Sequence, residues 1–277
     1  MRQNLWRVAA FVVCAAALTA AYYRTKSGDT MSSAANHFLA ALSANQKAQA
    51  TFAFTHEERV NWHFVPRERK GLPLKEMDSA QRALAQALLN AGLSQRGAMK
   101  ASTIMSLEAV LKEMEKDTVG RRDPEKYFFT IFGEPSESGT WGWRVEGHHL
   151  ALNFTVVKGQ TIATGPSFFG ANPAEVKQGP RKGLRALARE EDQARELLLS
   201  LDAKQKALAV FDPTAPKDIL SFNKRKAEPG APQWISGAKL TKKQQDQLMA
   251  VIEEYAGNMP EDLAGVRMEA ARKAGPE

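Results

Sequence analysis

The sequence predicts an α+β protein: a central antiparallel meander of three or four strands, flanked by two helix–loop–helix units. Three observations carry this. A helix-start pattern recurs four times, twice on each side of the middle of the chain. Between the two pairs the periodicity switches to short aromatic and β-branched runs broken by turn residues. At 277 residues and 43% hydrophobic content, the chain is long enough to bury a good core, and 25% charged content argues against wholesale disorder.

Taken in order, "MRQNLWR" carries two arginines and no acid, and "VAAFVVCAAALTAAYY" follows as an apolar run. That is the order of a secretory signal, and the run is short for a membrane span. Tyr22 and Tyr23 before Arg24 also suit an interfacial anchor. Residues 1–29 are therefore expected to be a signal peptide or an anchor through residues 8–23, and residues 30–277 a single α+β domain. Either way the body is expected to be periplasmic or secreted, touching membrane only through its N-terminal segment. The sole cysteine, Cys14, lies in that segment, so the body has no disulfide, thiolate metal site or cysteine nucleophile.

The four repeated stretches are "LSANQKAQATF" from Leu42, "MDSAQRALAQALL" from Met77, "LDAKQKALAVF" from Leu201 and "LTKKQQDQLMAVI" from Leu240. Each has Ser, Asp or Thr followed three residues later by Gln, the pattern of a capping box. The first side chain accepts a free helix N–H, and the Gln reaches back to the cap residue's own N–H. A hydrophobic staple is not expected, because Lys47, Arg82, Lys206 and Gln245 occupy its partner position. The first and third stretches also share Lys-Ala and a Phe that capping rules do not impose. This suggests a degenerate duplication; the alternative is four unrelated helices using one good cap.

In the centre, "KYFFTIFG", "GTWGWRVEG", "HHLALNFTVVKG" and "QTIATGPSFFG" read as strands, with Glu146-Gly147 and Lys158-Gly159 as tight turns. "STIMSLEAVLKEMEK" before them and "RKGLRALAREEDQARELLLSL" after them have helical spacing, and a short helix is expected after Met259.

Several long motifs, "NWHFVPRERKGLPL", "YFFTIFGEPS…GTWGWRVEGHHLALNFT", "FFGANPAEV" and "GPRKGLRALAREED", occur in an order that resembles the family called domain of unknown function 3500. The likeness covers roughly residues 33 to 265. It implies a single unit in an exported setting and supplies no catalytic residues.

Strand alternation locates a candidate site. Trp141, Trp143, Val145, Leu150, Leu152 and Phe154 fall on one sheet face, and Arg144, Glu146, His149, Asn153 and Thr155 on the other. Such a polar face would suit a cleft covered by helices. His148 shares the parity of Leu150. The stretch "HEERVNWHFVPRERKG" adds Asn61, Trp62, His63, Arg67 and Arg69, without regular periodicity, as loop binding groups do. "FFGANPAEVKQGPRKG" adds Arg181, with Asn172-Pro173 as an alternative helix start.

Three readings follow. In the first, His63, His148 or His149 and Glu146 converge on a divalent transition metal such as zinc or copper. No HExxH or His-x-His supports it. In the second, Arg67, Arg69, Arg144 and Arg181 clamp a small polar or anionic ligand, with Asn61, Trp62 and Asn153 lining the pocket. His63, Glu146 and His149 then act in hydrolase-type catalysis. In the third, these groups are satisfied residues of an envelope structural or interaction protein. The expected pocket lies between meander and 56–70 loop, lined by His63, Arg67, Arg144, Glu146, His148 and His149. Nucleic acid is not an expected partner, since the net charge of +7 is interleaved with acids along the chain. Phosphate loops, nucleophile elbows and dinucleotide fingerprints are missing, whereas a paired-carboxylate glycosidase needs no fixed spacing.

Overall fold

All four repeated stretches start helices, and all four starts form complete capping boxes. The computed structural model describes residues 27–275 apart from 160, 229, 232 and 233, so the expected signal or anchor falls almost wholly outside it. Among the described residues no helix is long and apolar enough to cross a membrane.

The first unit comprises α1 (Ser27–Ala40), α2 (Ala44–Ala50) and α3 (Ser79–Gly92), followed by α4 (Gln95–Met114). The second comprises α5 (Ala188–Ser200), α6 (Ala203–Ala209) and α7 (Lys242–Ala256), followed by α8 (Glu261–Ala274). The box helices are α2, α3, α6 and α7, entered at Ser43, Asp78, Asp202 and Thr241. Their glutamines do more than cap. Gln46 Nε2 donates to Gln81 Oε1 at 2.9 Å, and Gln81 Nε2 donates back to Gln46 Oε1 at 3.0 Å. Each also donates to the carbonyl two residues before the other's cap, Glu76 and Ala41. Gln205 and Gln244 repeat this, with carbonyls of Lys239 and Ser200. Only an amide can accept from the cap N–H with one atom and donate across the pair with the other, which is why these boxes use Gln and not Glu. In both units a three-residue 3-10 turn, Leu74–Glu76 or Gly237–Lys239, immediately precedes the second box.

The sheet has seven strands among the described residues and mixed direction, in place of the three- or four-stranded meander expected. Its strands are β1 (Thr51–Phe52), β2 (Leu72–Pro73), β3 (Phe128–Phe132), β4 (Thr140–Gly147), β5 (Leu150–Val157), β6 (Thr161–Ala163) and β7 (Ser167–Phe169). β3, β4 and β5 pair antiparallel in sequence order. The free edge of β3 is shared by parallel β1 and antiparallel β2, and that of β5 by β6 and β7. The short strands were hard to foresee because two or three residues carry no period.

The apolar face of the sheet holds the main core. Phe129, Ile131, Trp141, Trp143, Val145, Leu152, Phe154 and Val156 pack with Met31, Phe38, Ala85, Leu88 and Leu89 of the first unit. Trp143 stacks on Phe154 with centroids 4.2 Å apart. The rings press on α3 at Gly92, where a Cβ would stand 2.6 Å from Trp143. The second unit adds Met259 and Leu263 to this core and is also tied to α4 by charge. Buried Lys100 meets Glu190, Glu254 (3.1 Å) and Asn258 (2.9 Å).

Several local expectations change. The first hairpin turns at His148-His149, not at Glu146-Gly147, because Gly147 still pairs with Leu150. Gly147 is glycine for closeness: a Cβ there would overlap the Tyr127 ring. Lys158 and Gly159, both at positive φ, do make the next turn. Residues 181–187 are not helical, Asn172 starts no helix, and α8 is a full fourteen residues.

Candidate functional site

The polar face of the sheet is covered by a loop rather than by helices. Register places Thr130 beside Arg144, Arg144 beside Asn153, and Glu146 beside Ala151. Over them lies the first unit's inter-box loop, residues 53–71, whose Trp62, Phe64 and Val65 pack on Ala151 and Phe168 as a second, smaller apolar cluster.

Charge fastens that loop. Arg144, fully buried, donates through Nη1 to the carbonyls of Glu58 (2.8 Å) and Asn61 (3.2 Å). Its Nη2 meets Glu58 Oε1 at 2.6 Å and Glu146 Oε1 at 3.0 Å. The other Glu146 oxygen accepts the His63 N–H at 3.0 Å, with Arg69 Nε at 4.0 Å. Arg69 donates to the carbonyls of Arg67, Val65 (2.6 Å) and Gly147 (3.1 Å), and Asn61 Nδ2 to Glu58 Oε2 (2.9 Å). Burial pushes the Glu146 carboxyl up, opposed by Arg144 and Arg69. These groups pair with one another, with Nε of Arg144 and of Arg69 left buried without a hydrogen-bond partner, and a buried pair of this kind costs about 3–5 kcal/mol when one partner is removed.

His63 belongs to the same fastening. Its Nδ1 accepts the N–H groups of Phe64 (3.0 Å) and Val65 (3.2 Å), which fixes the hydrogen of the neutral ring on Nε2. Burial, then Arg67 and Arg69, hold its pKa below the usual histidine value. Asn153 donates to the Pro166 carbonyl through N and Nδ2, and Arg181 anchors on Ser106 of α4.

The hairpin tip is different in kind. His149 sits at φ +58°, a left-handed conformation unusual for a side chain of this size. Two bonds hold it: its N–H donates to Phe64 O (2.8 Å), and its carbonyl accepts from Gly170 N–H (2.7 Å). Its ring lies 4.1 Å from that of His148, edge to face, and its buried Nδ1 has no partner. Burial, then the charges of His148 and Arg122, lower its pKa to about 4. His148 Nδ1 stands 2.5 Å from Glu108 Oε1, and its carbonyl accepts from Tyr127 Oη at 2.8 Å. The carboxylate requires the hydrogen on Nδ1, so Arg122 Nη1 at 3.2 Å is a neighbouring charge, itself held by Glu115.

The single pocket expected is divided into small cavities. One of about 210 Å³ is lined by Glu58, Asn61, His63, Arg67, Arg69 and Glu146. A second of about 200 Å³ lies at the hairpin tip, lined by Arg67, Glu108, Arg121, Lys126, Tyr127 and His148. A third of about 220 Å³ has Arg59, Trp62, Asn153, Thr155 and Arg225 among its walls. Arg67 borders the first two, whereas Arg144 lies beneath the loop with Nη1 and Nη2 both engaged. Among the described residues, no three His, Cys, Asp or Glu side chains converge to hold a metal ion, so His63, His148, His149 and Glu146 are not gathered as ligands.

Glu58, Glu108 and Arg122 were missed from sequence. Glu108 had a signal: it falls on the buried stripe of α4 with Ile104, Leu107 and Leu111, where a carboxylate needs a partner. Arg122 follows a helix end in irregular chain and had none.

A fold of this make-up, with a polar sheet face locked under one loop, is an α+β protein with a histidine–carboxylate pair at a hairpin tip. The chain belongs to the family described as Protein of unknown function (DUF3500), whose model matches residues 24–276. No curated protein and no solved structure matches it.

Proposed function

We propose that the hairpin-tip cavity binds a small anionic ligand, and that His148, oriented by Glu108, exchanges a proton with that ligand or with a water beside it. The carrying observation is the 2.5 Å contact between His148 Nδ1 and Glu108 Oε1 in a cavity also lined by Arg67, Arg121 and Lys126. A carboxylate on Nδ1 orients an imidazole and directs proton exchange to Nε2, which has Arg122 Nη1 beside it at 3.5 Å; this is the arrangement of a general base and its orienting group. Cations around the mouth favour a carboxylate or phosphate. A volume of about 200 Å³ holds roughly six or seven waters, which limits the bound part to a small group.

The reading is hydrolase-type: His148 takes the proton of a water that attacks an ester or phosphoester carrying an acidic group, the C–O or P–O bond to the leaving alcohol breaks, and His148 returns the proton to that alcohol oxygen. The non-enzymatic alternative, a binding or structural envelope protein, draws on the mutual ion pairing of Arg144, Glu146, Glu58 and Arg69. Those four fasten the loop and leave turnover to the tip. The Arg-led, apolar-run N-terminus supports a periplasmic or secreted location, or an inner-membrane anchor through residues 8–23. The matching hydrogen bonds of the paired capping boxes support reading the two units as a duplication.

A panel of small carboxylate and phosphate esters tests the proposal. Turnover by the wild type, lost in His148→Gln with native circular dichroism retained below a lowered melting temperature, is the expected result. Turnover that survives in His148→Gln would sink the assignment.

A further inference from the structure

The second unit carries an inter-box loop of its own, and it faces solvent. Residues 201–243 hold nine Lys and Arg against four Asp and Glu, five of the chain's seven net positive charges. The excess that looks evenly interleaved along the chain is thus concentrated in one region. Within it, Phe211 (60% exposed), Leu220 (61%) and Trp234 (49%) stand out in solvent, with Leu208, Val210 and Ile219 also exposed. Interleaved among them, Lys204, Lys217, Lys224, Arg225 and Lys226 are exposed as well.

The first unit shows that this is not how such a loop must sit. Its Phe52, which matches Phe211 in the repeated stretch, is a strand residue paired with Phe132, and is half-buried. Among its described residues the second loop has no strand, and it rests on the first near its middle. Phe222 lies against His63 and Phe64, Asn223 Nδ2 donates to Trp62 O at 3.3 Å, and Arg225 stands 3.7 Å from exposed Glu57. Its two ends are closed together by Gln205 Nε2 on Lys239 O at 2.9 Å and by the Gln205–Gln244 amide pair. The result is a loop pinned at its base that presents bulky apolar side chains among cations.

We infer that this loop docks on an anionic lipid surface. Interleaved bulky apolar and cationic side chains on one closed loop are the pattern of interfacial binding: aromatic and aliphatic groups enter the headgroup boundary while Lys and Arg neutralise acidic lipid. The charge excess argues for lipid over a second copy of this chain, which would bring the same positive charge to the contact and be repelled. The inference does not rest on the His148 cavity.

The test uses the full chain and vesicles of phosphatidylglycerol in phosphatidylcholine, with bromine in the lipid tails as a quencher. Quenching is read as the difference between wild type and Trp234→Phe, so an N-terminal segment that itself inserts cancels out. Trp234 is expected to be quenched on the anionic vesicles and not on phosphatidylcholine alone. Replacing Lys217, Lys224 and Lys226 together by Gln is expected to weaken this on the order of a hundredfold. Phe211→Ser with Leu220→Ser should weaken it at unchanged charge. Equal quenching on both lipids, no quenching of Trp234, or binding only to a soluble polyanion such as heparin would each overturn the inference.

Discussion

The two inter-box loops hang from the same device and end in opposite environments. Each is closed at its base by a pair of glutamines that cap two helices and bond each other. The first then enters the sheet through Thr51–Phe52 and is held over the polar face by Arg144 and Arg69. Among its described residues the second has no strand partner and no buried ion pair, and it touches the first through Phe222, Asn223 and Arg225. The base therefore fixes where a loop begins and ends. What lies beneath it, a sheet face bearing buried charge or open solvent, decides whether it becomes rigid scaffold or exposed surface.

The largest expected break in this comparison is Arg144→Ala. It leaves Glu58 and Glu146 buried without their shared cation, and should cost about 3–5 kcal/mol, read from the denaturant midpoint. No single substitution in the second loop should approach this.

Gln81→Glu and Gln244→Glu come next. Each swaps the donating amide for an acceptor facing a carbonyl, and should cost about 1–3 kcal/mol. The readout separates the units. Hydrogen exchange should speed across the first unit and the core in Gln81→Glu, and only in α6, the second loop and the start of α7 in Gln244→Glu.

A smaller effect concerns pH. His149 has a folded pKa of about 4, depressed from the ordinary 6.5, so the folded state binds fewer protons than the unfolded one. Its contribution is present above pH 6.5 and is lost as pH falls from 6.5 toward 4, by about 1–3 kcal/mol once partial exposure is allowed for. His149→Asn, which tolerates positive φ, should flatten the fall in melting temperature over that window. An unchanged slope would place the acid sensitivity elsewhere. The smallest effect is Phe211→Ser, an exposed site that should shift stability by under about 0.5 kcal/mol.

How much of this was legible in the sequence follows from where periodicity exists. The four boxes could be read because a cap and its Gln sit at fixed spacing. The alternation of Trp141, Trp143 and Val145 against Arg144 and Glu146 gave the correct sheet faces, since strand parity is local. What covers the polar face was not legible. The covering segment has no period, and its position depends on Arg144 bonding the carbonyls of Glu58 and Asn61, residues more than eighty positions away. For the same reason it was not legible that Arg144 and Glu146 fasten this loop, Glu146 also bordering a small cavity, or that Glu108, on a helix forty residues earlier, is the partner of His148.

The central claim is that the His148–Glu108 pair sits in a small anion-binding cavity. The most direct measurement is a thermal-shift screen of small carboxylates and phosphates against wild type, His148→Gln and Arg121→Gln. We expect at least one anion to raise the wild-type melting temperature in a saturable way, with the shift lost in both variants, each compared with its own unliganded melting temperature. A saturable shift that persists in both variants would place the ligand elsewhere and contradict the account.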